Sequence, residues 1–199
     1  MRRFSINFDY RCPFARNANE HVMTGLEAGA PWEVTFAAFS LTAVHVEADD
    51  PPVWTDPAKR SELMALAAGL VVRDRHPERF LAAHRSLFAI RHDDGDDVRD
   101  EKVVRAALER AEVDADAVFA ELEADWPFTT IRDEHEGSVQ EHAVFGVPTF
   151  ILADRAVFVR LMNRPAGDSA LAQTTIERVL DLIADAPALN EFKHTALPR

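Results

Sequence analysis

Phe4-Ser5-Ile6-Asn7-Phe8-Asp9-Tyr10-Arg11-Cys12-Pro13-Phe14-Ala15 is the stretch on which the fold turns. Phe4, Ile6 and Phe8 alternate with polar residues, the period of a strand. Asp9 to Pro13 reads as a turn. From Pro13 to about Ala28 the spacing changes to three and four, with Ala15, Ala18, Val22 and Leu26 on one side of a predicted helix. Proline suits the first helical turn, where an amide hydrogen would go unused. Gly29-Ala30-Pro31 ends that helix, and Trp32 to Phe39 reads as a second strand. A strand–helix–strand unit with a right-handed crossover is the expectation.

Ser40 to Asp56 reads as a long acidic loop holding Glu47, Asp49, Asp50, Pro51, Pro52 and Trp54. Loops of that length are uncommon and often functional, and Trp54 is a candidate to stack on a substrate. From Pro57 to about Trp126 the spacing predicts helices only: Lys59–Arg75, Pro77–Arg91, Asp100–Ala111 with Asp100 as its cap, and Ala115–Ala124. Another helix is predicted from Phe128 to Phe145. Val147–Leu152 and Ala156–Met162 read as an antiparallel hairpin, and Ser169–Ala184 as a closing helix. The predicted class is α/β, with residues 1–56 and 127–199 forming one domain and 57–126 a helical insertion.

The chain has 199 residues, 47% hydrophobic and 28% charged, enough apolar content for a packed core. Its 22 basic and 34 acidic residues leave a net charge of −12. That sign argues against nucleic acid or an anionic membrane as partner. No run approaches the ~18 apolar residues of a membrane helix. Met1-Arg2-Arg3 is basic, but no apolar run follows, so a cytoplasmic protein is expected.

Cys12 is the single cysteine, so neither an internal disulfide nor a four-cysteine zinc site can form. At a helix start its sulfur would face unpaired N–H groups and the positive end of the helix dipole. Such places lower a thiol from ~8.5 to roughly 3.5–7.5. Arg11 and Arg16 would add positive charge, so an activated thiol is expected. The alternative is a buried, inert cysteine.

No metal site is expected. His135 and His142 share a helix face but stand about two turns, roughly 10.5 Å, apart. Asp93-Asp94-Gly95-Asp96-Asp97 would need an acid where Ile90 stands to match a calcium loop, and reads as an acidic connection. His84 falls on the apolar stripe of Leu81, Leu87 and Phe88 and reads as a core histidine. His45 is a candidate acid or base near Cys12. Gly-rich phosphate loops and a Gly-x-Ser-x-Gly elbow are missing from the sequence.

Cys12-Pro13-Phe14-Ala15 at the first strand-to-helix turn, with Gly146-Val147-Pro148-Thr149-Phe150 opening a later strand, resembles the thioredoxin fold. With a helical insertion between its halves, the chain is similar to the DsbA family, which includes hydroxychromene-carboxylate isomerases and kappa-class glutathione transferases. The resemblance implies a thiol–disulfide oxidoreductase with Cys12 as nucleophile and Pro148 as a cis-proline beside it. It implies that Val147 offers backbone groups to an extended thiol ligand. Tyr10, Pro13, Phe14, Ala15, Trp54 and Thr149 would complete the binding site.

Dithiol members of that family carry Cys-Pro-x-Cys, whereas Ala15 stands here at the last position. Alanine cannot attack a mixed disulfide, so a self-contained dithiol cycle is excluded. A monothiol cycle is expected, with glutathione or mycothiol as co-substrate, a small thiol or disulfide as partner and no permanently bound cofactor. Two alternatives stand beside it: a glutathione- or mycothiol-dependent isomerase or transferase, and a groove that binds without chemistry.

Overall fold

A computed structural model describes residues 1–46 and 50–196. Strand β1 (Arg2–Phe8), helix α1 (Pro13–Glu27) and strand β2 (Trp32–Ala38) form the expected opening unit. β1 and β2 run parallel, with Phe4 opposite Val34 and Ile6 opposite Phe36. Phe4, Ile6 and Phe8 are all buried, as their alternation predicts. Burial of each such side chain stabilises the fold by about 1.5–3 kcal/mol.

Ser40 starts a short helix, α2 (Leu41–Val44), by accepting the Ala43 amide on its hydroxyl at 3.2 Å. The expected long loop therefore begins with a helical turn. Glu47 and Asp49 lie outside the described residues. The insertion is helical: α3 (Arg60–Arg75), α4 (Phe80–His92), α5 (Glu101–Arg110) and α6 (Ala115–Leu122). Pro57–Lys59 and Pro77–Arg79 are 3-10 turns that lead into α3 and α4 rather than parts of them. Asp100 caps α5 through the Lys102 amide at 2.9 Å, a contact typically worth ~1 kcal/mol.

Helix α7 (Trp126–His142) stops short of the predicted Phe145. Its end is fixed by Ala143, whose φ of 53° is left-handed and turns the chain back toward the sheet. Strands β3 (Thr149–Leu152) and β4 (Arg155–Phe158) form the antiparallel hairpin, and α8 (Ser169–Asp185) closes the chain. β4 is shorter than predicted, because only Arg155–Phe158 pair with β3. The sheet order is β2-β1-β3-β4, with Ser5 opposite Ile151 and Ile6 opposite Phe150. β1 is therefore central, and its C-terminal end delivers residues 9–12 to the mouth of the fold. Helix α8 packs on α1, whereas α7 packs against β2 and α3.

Candidate active site

The turn after β1 is built on Asp9, which is almost wholly buried. Its carboxylate accepts the Arg11 and Leu41 amides, each at 2.8 Å, and so ties the turn to the start of α2. Burial raises its pKa above the ordinary carboxylate value, against the pull of the Arg11 charge and those amides. The Asp9 carbonyl accepts the Cys12 amide at 3.0 Å. This fixes Cys12 as the N-cap of α1, in extended backbone, with Pro13 in the first turn.

The Cys12 sulfur accepts the Ala15 amide at 3.4 Å and donates its own proton to the Val147 carbonyl at 3.4 Å. Val147 precedes Pro148 across a cis peptide. The two segments singled out in the sequence thus meet at the sulfur. Cys12 is 7% exposed and Val147 3%.

Burial works against the activation expected from the helix start. It pushes the thiol up from its ordinary value, and nearby Asp9 adds to this. The amides of Ala15 and Phe14 and the charge of Arg160 pull it down, but burial prevails. The two expected cations are committed elsewhere. Arg11 pairs with Glu62 at 3.0 Å and donates to Thr42. Arg16 pairs with Glu20 at 2.9 Å and with Asp93.

Tyr10 is expected among the ligand contacts, yet its side chain is fully buried. Apolar rings close over it, and its hydroxyl donates to His84 Nδ1 at 2.8 Å. His84 Nε2 donates to Asn19 Oδ1 at 3.0 Å, and Asn19 Nδ2 donates to the Ala15 carbonyl at 2.8 Å. Tyr10 is therefore part of a polar rail that holds the first turn of α1, and His84 is the satisfied core histidine expected. Burial pushes His84 down to about 3.

Phe14 sits half-buried two residues past the sulfur, while the Ala15 methyl is fully buried beneath it. Thr149 is buried, with its hydroxyl donating to the Gly146 carbonyl at 2.7 Å. That bond braces the Gly146–Thr149 turn instead of facing a ligand. Trp54 borders two cavities of about 360 and 330 Å³, neither lined by Cys12. Its ring meets the edge of His135, 5.4 Å away. His135 accepts the Ser40 amide at 3.2 Å and is pushed down to about 4 by burial. His45 donates to the Leu41 carbonyl at 2.6 Å. Asp93, in the acidic connection, pairs with Arg16 and with Arg164 at 3.1 Å.

Arg160 escapes the sequence reading, which places it inside a strand. It lies just past β4, with its guanidinium 5.1 Å from the Phe14 ring centre and 5.4 Å from that of Phe158. Phe145, 69% exposed, meets Phe158 with ring centres 5.2 Å apart. Neither Arg160 nor Phe145 stands in a sequence pattern that points to a cysteine so far along the chain.

Residues 5–165 match the family model for a DSBA-like thioredoxin domain. Among solved structures, 2-hydroxychromene-2-carboxylate isomerase is similar at 16% identity and a TM-score of 0.62, with 92% of this chain and 98% of that one covered. A probable DsbA oxidoreductase from Streptomyces coelicolor is similar at 19% identity and a TM-score of 0.58, with 100% and 94% covered. A periplasmic thioredoxin-like protein from Salmonella enterica serovar Typhimurium is similar at 16% identity and a TM-score of 0.58, with 89% and 84% covered. No curated protein matches the chain.

Proposed function

The chain belongs to the DSBA-like thioredoxin domain family, and from that membership and its single thiol we propose a monothiol oxidoreductase whose second thiol comes from an external small molecule. The observation that carries this reading is the Cys12 sulfur at the head of α1, 3.4 Å from the Val147 carbonyl, with a methyl group at Ala15 where an internal resolving thiol would stand. Cys12 thiolate attacks a disulfide R–S–S–R. A Cys12–S–S–R bond forms, the original S–S bond breaks, and R–S⁻ leaves with the electron pair and takes a proton from water. Glutathione or mycothiol thiolate then attacks the R sulfur of the mixed disulfide: a new disulfide forms between that thiol and R, the Cys12–S–S–R bond breaks, and Cys12 leaves as the thiolate with the electron pair.

Val147 couples docking to activation. Its carbonyl accepts the thiol proton in the free protein. A ligand that donates an N–H to the same oxygen competes with that proton, and loss of the S–H bond removes one support of the neutral form. Small thiols are abundant in the reducing cytoplasm, the compartment this cycle suits best.

A second reading rests on the raised thiol. Cys12 held neutral is a hydrogen-bond donor, able to hold the thiolate of a bound glutathione for isomerisation or conjugation. The similar isomerase supports this reading.

Mass measurement after incubation with oxidised glutathione separates the two. The oxidoreductase reading expects one glutathionyl group per chain, on Cys12, removed by reduced glutathione and lost in Cys12→Ser. If the folded protein takes up none at any pH while the unfolded chain does, the monothiol cycle is refuted.

A further inference from the structure

Arg11, Arg16 and Arg164 are paired with carboxylates around the site. Arg160 forms no ion pair among the described residues, and it is exposed. Two phenyl rings, Phe14 and Phe158, pack against its guanidinium. Stacking of this kind uses the flat faces of the group and leaves its N–H edge free for a carboxylate. Phe14 places this cation beside the entrance to Cys12, near enough for its charge to act on the sulfur. The protein as a whole carries −12, so an anion approaching the sulfur is repelled at long range and needs a local cation to dock.

We propose that Arg160 selects the external sulfur ligand by charge, so that the site takes carboxylate-bearing thiols and disulfides ahead of neutral or cationic ones. Phe14 and Phe158 hold the guanidinium in place, and the exposed Phe145 extends the apolar floor beside it. This favours glutathione, with its carboxylates, over a neutral sugar-linked thiol such as mycothiol. The inference rests on the monothiol reading and names the ligand class of that same site.

The test uses disulfides of similar size and different charge: dithiodipropionic acid (anionic), hydroxyethyl disulfide (neutral) and cystamine (cationic). Intact-mass kinetics give the rate at which each forms a mixed disulfide with Cys12 in the full chain, Arg160→Gln and Arg160→Lys. The ratio of the anionic to the neutral rate cancels changes in thiolate fraction. In Arg160→Gln that ratio is expected to fall about threefold or more, whereas Arg160→Lys keeps it within about twofold. Added salt should lower it in the wild type far more than in Arg160→Gln. A ratio unchanged in Arg160→Gln overturns the role of Arg160 and leaves the monothiol reading standing. No reaction with any disulfide overturns both.

Discussion

The Cys12 thiol donates its proton to the Val147 carbonyl oxygen across 3.4 Å, although 135 positions separate the two in the chain. That bond joins the end of the central strand to the entry of the hairpin. It also makes the sulfur a donor in the resting protein, while the Ala15 amide points at it as if to stabilise an anion.

The balance between these two contacts is measurable. Burial holds the thiol above its ordinary value, so alkylation by iodoacetamide should show its inflection at higher pH in the folded protein than in urea. The sign carries into stability. The unfolded chain releases this proton first, so folding loses free energy as pH rises from the unfolded toward the folded value. An inflection below that of the unfolded chain would show that the helix amides and Arg160 prevail instead.

Ala15→Cys tests the missing resolving sulfur. Ala15 is fully buried, and a larger side chain there should cost about 1–3 kcal/mol in urea unfolding. On oxidation the variant should close an internal disulfide between Cys12 and the introduced thiol. It should also shed a glutathionyl group without added thiol. A mixed disulfide as long-lived as in the wild type would mean that position 15 cannot reach the sulfur.

Two glycine substitutions should move stability in opposite directions. A methyl group on Gly69 in α3 would run into the Tyr10 hydroxyl and lie 2.9 Å from its Cε2, on a ring already fixed by His84. Gly69→Ala should therefore destabilise by about 1–3 kcal/mol. Gly137, inside α7, has open space where a methyl would go. Gly137→Ala should stabilise by about 0.5–1 kcal/mol. Urea midpoints of the two variants read both effects.

His84 gives the fold an acid sensitivity. Its folded value of about 3 lies far below the ~6.5 of an unfolded histidine. Its contribution is complete above ~6.5 and is lost as pH falls, because the unfolded chain takes up a proton that the core refuses. Between pH 7 and 5 this amounts to about 2 kcal/mol. His135, at about 4, acts in the same direction, while the raised carboxyl of Asp9 acts in the opposite one. Unfolding of His84→Gln should depend less steeply on pH over that window; an equal slope would rule His84 out as the source.

Most of the architecture is legible because local patterns carry it. Phe4, Ile6 and Phe8 mark a strand by alternation, Pro13 and Asp100 mark helix starts, and residues 57–126 show only helical spacing. The misread ends have local causes: proline-led 3-10 turns before α3 and α4, and the left-handed Ala143. The site is legible where it lies on the motif itself. Tyr10 sits next to that motif, but the space left by Gly69 and the bond to His84 draw it inward, and no local spacing encodes either. The state of the thiol is hidden for a related reason. A helix start predicts a stabilised anion, but the depth at which Val147 covers the sulfur is set by distant chain.

That distance also matters during synthesis. The ribosome releases Cys12 on the order of ten seconds before Val147, at ordinary elongation rates of roughly 5–20 residues per second. Until the hairpin arrives, the nascent chain carries its only thiol without the Val147 contact that covers it. Val147, which leads into β3, meets that sulfur, so a late part of the chain covers an early thiol.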